Sequence, residues 1–275
     1  MSYRSSGFRN LKSGCRASPE KQPCIQHFVR LSFNARYRQS CLFVLALTLA
    51  SPLYSQSHTE STCGVSQAEH QTWGETKILG HGLREAPRNL IRPRNLIWEL
   101  PIAAATGVLI AKVDRPAVNR IQSLDIERLA GRWANVGLGL EIGSSALSYG
   151  LGCGEHRADL RDAGFTALAA MGTAGALDFA LKVAFDRQYP YSRNSTGTFW
   201  GGGRSFPSGH AATSFAWASA TAHKSHNKWV KLGAYALATG VSLSRYPAKK
   251  HFPSDILIGA TIGYVTGTYL ANHSE

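Results

Sequence analysis

Cysteine is scarce in this 275-residue chain, methionine scarcer still, and acidic residues are outnumbered by basic ones, 17 to 30. Of the five cysteines, Cys15, Cys24 and Cys41 precede a signal-like segment, leaving Cys63 and Cys153 beyond it. That excludes a scaffold held by several disulfides. One Cys63–Cys153 bridge in an oxidising compartment, or two free thiols, stay open. No Cys/His cluster has zinc spacing, and His223 with His226 in a lysine-rich turn reads as a solvated connection, so no metal site is expected. Long apolar runs are also missing. Most apolar segments stop short of the roughly 20 residues that cross a bilayer, Glu141 and Asp178 interrupt two of them, and mean hydropathy is −0.16.

The net charge of +13 suggests nucleic acid until it is located along the chain. Residues 1–40 carry Arg4, Arg9, Lys12, Arg16, Lys21, Arg30, Arg36 and Arg38 against Glu20 alone, which accounts for more than half of it. The remainder has no basic-aromatic stripe and no nucleic-acid motif, so nucleic acid is set aside. After the basic stretch come the apolar run Cys41 to Leu49, the small residues Ala50-Ser51-Pro52 and a polar stretch. This order is that of a secretory signal peptide. The basic part is long for one, and a translation start near Val29 or Leu31 would restore the usual proportions; a basic tail before a weak anchor is the other reading. The expected organisation is therefore a tail and signal-like segment over 1–55, a polar, poorly structured extension over 56–96, and a helical domain over 97–275. Pro-Arg-Asn-Leu-Ile occurs at 87–91 and again at 93–97, too short a repeat for a solenoid and best taken as linker.

Six apolar segments of helical length follow, at about 97–112, 134–151, 163–182, 209–222, 230–244 and 255–272. They are rich in Ala, Gly, Leu and Thr, small enough for helices to approach closely. The stretch Asp114 to Arg132 reads as a loop.

Three places among these segments carry chemistry. His251 and Asp255 are four apart, so on a helix starting near His251 they share a face. The carboxylate would hold one imidazole nitrogen and leave the other to attack or shuttle a proton; a surface ion pair is the plain alternative. Arg245, at the mouth of the same loop, offers a planar fork for two phosphate oxygens. Upstream, Pro207-Ser208-Gly209-His210 opens a segment where Ser208 is a good N-cap and Gly209 allows close backbone approach, so the N–H groups at Ser208 and Gly209 would face an anion, with His210 beside it. An ordinary capped helix fits too. Lys182 is a third element, although a salt bridge to Asp178 accounts for it locally.

Together these residues resemble the signature of the type-2 phosphatidic-acid phosphatase and vanadium haloperoxidase superfamily: Lys-x6-Arg-Pro, then Pro-Ser-Gly-His, then Ser-Arg-x5-His-x3-Asp. The second and third motifs are complete, at Pro207 to His210 and at Ser244, Arg245, His251 and Asp255. In the first, Lys182 and Pro190 are in place but Tyr189 stands where the family has Arg. The resemblance, covering about Trp98 to Asn272, implies an all-α, compact six-helix bundle with the active site at one end. It implies hydrolysis of a phosphomonoester or pyrophosphate through a phosphohistidine. His251 would attack, oriented by Asp255; His210 would serve as acid and then base; Lys182, Arg245 and the Ser208 and Gly209 amides would hold the phosphate oxygens. A phenol cannot replace a bidentate Arg, so Arg187, Arg193 or Arg204 would have to compensate, Arg204 being best placed. No cofactor is implied; vanadate enters only for a haloperoxidase. A catalytically silent lipid-binding bundle is a further alternative. The substrate is expected to be a phosphorylated lipid or a small phosphoester, and the protein to be exported and periplasmic or membrane-associated, with an integral membrane protein as the alternative.

Overall fold

A computed structural model of the chain describes residues 96–120, 124–192 and 195–274, together with 80, 84, 85 and 88. The tail, the signal-like segment, most of the extension, Cys63 and Arg193 lie outside the described residues. From residue 96 onward the elements are α1 (Leu96–Val108), a π turn (Leu109–Val113), α2 (Asp114–Asn119), α3 (Leu124–Gly154), α4 (Ala158–Phe185), α5 (Gly209–Lys224), α6 (Lys228–Ser244) and α7 (Pro253–Asn272), with no strand among the described residues. The class is all-α, and the six long helices fall on the six apolar segments. One boundary differs. The stretch Asp114 to Arg132 is mostly helix, not loop, because α2 occupies its first part and α3 starts at Leu124. Asp125 and Glu127 in the first turn of α3 complement the helix dipole, Arg128 pairs with Asp125 at 2.8 Å, and Ile126, Leu129 and Trp133 form a short apolar stripe that stays exposed.

Small side chains decide how the helices meet. α5 runs through the centre, packed on α4, α6 and α7, and its buried face is Ala211, Ala212, Ala216, Ala218 and Ala220 with Trp217. Gly259, Gly263 and Gly267 form a stripe of period four along α7 that lies against the α5 backbone. A Cβ at Gly263 would come within 2.1 Å of the Ala212 carbonyl oxygen, and one at Gly267 within 2.3 Å of that of Ala216. The two backbones therefore touch almost directly, which fixes α7 against α5 to a fraction of a side chain. The hairpin between α3 and α4 uses the same device, since a Cβ at Gly164 would meet the Tyr149 amide nitrogen at 2.4 Å.

Alternation of direction in this bundle brings the end of α4, the start of α5, the end of α6 and the start of α7 to one end, and α2 with the start of α3 joins them. All three motifs sit there. Elsewhere the outer faces keep large apolar groups exposed, among them Trp133, Val136, Ile142 and Leu147 on α3, Phe179 and Val183 on α4, and Trp229 and Leu232 on α6. Among the described residues one helix, α4, is long and apolar enough to cross a membrane.

Within the bundle one carboxyl has no counter-charge. Glu141 on α3 is fully buried; Ser214 on α5 donates to its Oε2 at 2.7 Å, and Oε1 has no partner. Burial pushes this carboxyl up to about 8, against the pull of the Ser214 hydrogen bond. It is thus protonated in the fold at neutral pH, whereas an unfolded glutamate ionises near 4.5. The stability this gives is complete below the unfolded value and is lost as pH rises from there through about 8.

Two measurements check the packing and the buried carboxyl. Gly263→Val should prevent native assembly or lower the melting temperature sharply, while Gly139→Ala, whose Cβ meets nothing within 4 Å, should be neutral or stabilising by up to about 1 kcal/mol. Glu141→Gln should flatten the fall of melting temperature between pH 5 and pH 9; equal slopes in the two proteins would show that the carboxyl is not the titrating group.

Candidate active site

The loop from α4 to α5 begins with Asp186 in the left-handed region, φ 41°, which turns the chain inward. That turn buries Arg187, whose side chain makes four hydrogen bonds. Nη2 donates to Asp114 Oδ2 at 2.7 Å, Nη1 donates to Ser254 Oγ at 2.8 Å and to Asp255 Oδ1, and Nε donates to the Gly197 carbonyl at 3.1 Å. Phe199 and Phe252 cover the guanidinium, 4.8 and 4.3 Å from its carbon to the ring centres. Asp114 in turn accepts from the Ser254 amide at 3.1 Å and from its hydroxyl at 2.5 Å. Arg187 therefore cannot replace the missing first-motif Arg, because four of its five N–H donors are committed away from the site.

Asp255 has a different job from the expected one. The helix starts at Pro253, later than His251, and Asp255 in its first turn accepts from the Phe252 amide at 2.9 Å and from Ser205 Oγ. His251 Nδ1 stands 3.8 Å from Asp255 Oδ2, too far for a hydrogen bond, and donates instead to the Ser205 carbonyl at 2.7 Å. Asp255 thus acts on His251 through Ser205 and through its field. The consequence for the ring is the one sought: Nδ1 carries the proton and Nε2 keeps its lone pair. Burial lowers the basicity of His251, Asp255 opposes that, and Lys182 and Arg245 add to it. A neutral imidazole results.

Lys182, one turn before the end of α4, pairs with Asp178 at 2.7 Å and also donates to the Pro207 carbonyl, so both the local salt bridge and the contact with the second motif are present. Burial raises the Asp178 carboxyl and lowers the Lys182 ammonium, and each is the other's main compensation. Asp178 also explains Gly209, where a Cβ would come within 2.9 Å of its Oδ2. Ser208 is the residue before α5, as its type predicts, but its side chain makes no cap. Its amide is spent on the Asp255 carbonyl at 3.0 Å and so cannot hold a phosphate oxygen, a correction to the expected amide pair. What Ser208 offers instead is its hydroxyl, buried without a partner. Buried Arg245 also has an unpartnered Nε. The amide of Gly209 remains a first-turn N–H with no carbonyl behind it.

His210 stands in the first turn of α5, its Nε2 3.1 Å from Oδ1 of Asn135 on α3. Burial, then the charges of Arg245, His251 and Lys182, push its imidazole down to about 3. Those influences come from α4, from the residue that closes α6 and from the α6–α7 loop, so the four groups lie within electrostatic reach of one another. Tyr189 flanks this cluster, its ring 6.3 Å from that of His251 and stacked on Tyr191 at 5.0 Å. Burial raises the Tyr189 phenol, the Arg245 and Arg204 charges opposing, so it remains a neutral donor. Arg204 does not enter the cluster: it is exposed, with its guanidinium carbon 5.9 Å from the Phe179 ring centre, at the rim.

The structure thus gathers His210, His251, Lys182, Arg245, Ser208 and Gly209, backs them with Asp255, and leaves Arg187 and Arg204 out. It adds Asn135, Asp114, Ser205 and Asp178, which motif spacing did not single out as site residues. Asp178 alone had a local signal, its place four residues before Lys182.

Residues 163–274 match the family model of the PAP2 superfamily. A lipid A 1-phosphatase of Porphyromonas gingivalis is 37% identical over 65 residues, which is 23% of this chain and only 15% of that protein. The crystal structure of a transmembrane PAP2-type phosphatidylglycerolphosphate phosphatase from Bacillus subtilis superposes with a TM-score of 0.43 at 19% identity, over 73% of this chain and 96% of that one. The matched family segment holds Lys182 and both complete motifs; Asp114 and Asn135 lie before it.

Arg187→Leu would leave Asp114 and Asp255 buried without their cation, and should lower stability by about 3–5 kcal/mol. Denaturant unfolding of the variant measures this, and an unchanged midpoint would show that the carboxylates find other partners.

Proposed function

We propose, on the premise that residues 163–274 are a PAP2-superfamily segment, that this protein is a phosphatase that hydrolyses phosphate esters through a phosphohistidine. The observation that carries the reading is that two imidazoles and two cations stand within electrostatic reach of one another, beside unpartnered donors on Ser208 and Arg245. Nε2 of His251 attacks phosphorus, forming a P–N bond as the ester P–O bond breaks, and His210 gives the leaving oxygen its proton. His210 then takes a proton from water, whose oxygen displaces His251 and releases inorganic phosphate. Lys182, Arg245, the Ser208 hydroxyl and the Gly209 amide hold the non-bridging oxygens, where charge spreads in the transition state. The negative charge of the bound phosphoryl group opposes the pull of the cations on His210, which favours its protonated form when it must act as an acid. In this scheme the cations and the start of α5 supply the positive field, and no cofactor takes a step.

The preferred substrate is a lipid phosphate. Phe179 and Val183, 58% and 55% exposed, sit beside Asp178 and Lys182 on α4, and exposed Trp200 is tied to the end of that helix by its indole N–H on the Ala184 carbonyl at 3.0 Å. An apolar shelf next to a phosphate-binding cation suits an ester whose leaving group carries acyl or prenyl chains. Exposed apolar faces along α3, α4 and α6 support membrane association, and the basic-then-apolar N-terminal pattern supports export.

Purified protein assayed on phosphatidate, a polyprenyl pyrophosphate and a soluble phosphomonoester should release phosphate, prefer the lipids and be inhibited by vanadate. His251→Ala should lose at least about 10³-fold in kcat, and acid-labile phosphate should be trapped on wild type but not on the variant. Wild-type turnover by His251→Ala would overturn the mechanism; halide oxidation dependent on vanadate and peroxide would replace it with the peroxidase chemistry.

A further inference from the structure

His210 is the group on which proton transfer depends in the reading above, and its ring is held from outside the motifs. Asn135 lies on α3, before the matched family segment, between exposed Trp133 and Val136 on the same helix. Its Oδ1 is 3.1 Å from His210 Nε2. The other groups that act on the ring do so by charge: Lys182 from α4, Arg245 from the end of α6 and His251 from the α6–α7 loop, while the Asp178 carboxylate lies against Gly209. A carboxamide oxygen only accepts, so Nε2 is the protonated nitrogen and Nδ1 is left to exchange protons with a ligand.

We infer that Asn135 is a positioning residue that confines proton transfer to Nδ1 of His210. It holds Nε2–H in both halves of the cycle. When the ring is doubly protonated, Nδ1–H goes to the leaving oxygen as the P–O bond breaks. The neutral ring left behind has its lone pair on Nδ1, which takes the proton of the water that displaces His251. Without the amide, a neutral imidazole divides between two tautomers and rotates about χ2, and only part of the population presents the correct nitrogen. The assignment rests on the proposed phosphatase activity for its catalytic meaning, but the tautomer itself does not. Asn135 is exposed on the surface of α3, so replacing it leaves the core intact.

The experiment uses the full-length wild type, Asn135→Leu and Asn135→Asp, with a soluble phosphomonoester as substrate and vanadate as the binding probe. Asn135→Leu should lower kcat by about 10- to 100-fold with KM and the vanadate Kd within about twofold, since the amide does not touch the anion. Asn135→Asp places a carboxylate on the ring and should move the limb of the kcat–pH profile governed by His210 upward by about one unit. Side-chain 15N NMR of labelled histidines, assigned with His210→Gln, should show the Nε2–H tautomer in wild type and a mixture in Asn135→Leu. An unshifted profile in Asn135→Asp together with an unchanged tautomer in Asn135→Leu overturns the inference. A loss of activity matched by equal loss of vanadate affinity and of melting temperature overturns it too, because that is a structural role. If the wild type releases no phosphate from any ester, it is the phosphatase reading that fails, and the tautomer measurement alone decides for or against Asn135.

Discussion

One buried guanidinium holds the functional end of this bundle together. Arg187 joins Asp114 at the start of α2 to Asp255 in the first turn of α7, and reaches both from the loop that follows α4. Taking three charges out of water is costly, and the attraction between them repays it only where nearly every donor and acceptor is satisfied. Here the remaining valences go to Ser254, Gly197, Ser205 and the Phe252 amide, under two aromatic rings. None of these partners can move alone without stranding a charge. The loops bearing the second and third motifs are thereby locked to each other.

That lock explains why Asp255 is a scaffold before it is an electrostatic partner. Its carboxylate is consumed by Arg187, Ser205 and the helix start, and the imidazole is oriented by a carbonyl that the carboxylate itself has fixed in place. The indirect arrangement has an electrostatic result. Burial outweighs the pull of Asp255 on His251, Lys182 and Arg245 add to burial, and the imidazole stays uncharged. A direct, unshared carboxylate would instead have favoured imidazolium, which has no lone pair to offer. The unsatisfied donors point the same way: buried Ser208 Oγ and Arg245 Nε lack partners beside the first-turn Gly209 amide, as the donors of an anion site would.

Much of this was legible in the sequence because motif and helix boundary coincide. Pro207 to His210 is both a signature and a helix start, and Ser244 to Asp255 spans a helix end, a loop and the next helix start, so naming the motifs also placed the elements. Helix extents were readable wherever an apolar face repeated. They were missed at Leu124 to Trp133, where the short apolar stripe Ile126, Leu129 and Trp133 is interleaved with charged residues and stays exposed. The lock was invisible for a different reason. Asp114 and Asp255 lie 73 and 68 residues from Arg187 along the chain, and no spacing rule links positions that only tertiary packing brings together. Asn135 escaped in the same way, as a polar residue among apolar ones on a surface helix. Compensation at Tyr189 was misjudged because proximity in sequence favoured Arg204, whereas the chain leaves α4 in a direction that puts Arg204 at the rim.

Tyr189 then takes on a definite meaning. A third cation here would push His210 and His251 still further from protonation, adding to the effect that Lys182 and Arg245 already have on His210. A phenol held neutral by burial and stacked on Tyr191 can donate one hydrogen bond and adds no charge. In the proposed chemistry the site gives up one ionic contact to the phosphate and keeps His210 easier to protonate, which moves the balance from holding the anion towards moving the proton. That trade goes with the commitment of the cation two residues earlier, Arg187, to the scaffold: the same short loop carries both, and its buried guanidinium fixes the loops while an aromatic ring takes the position beside His251.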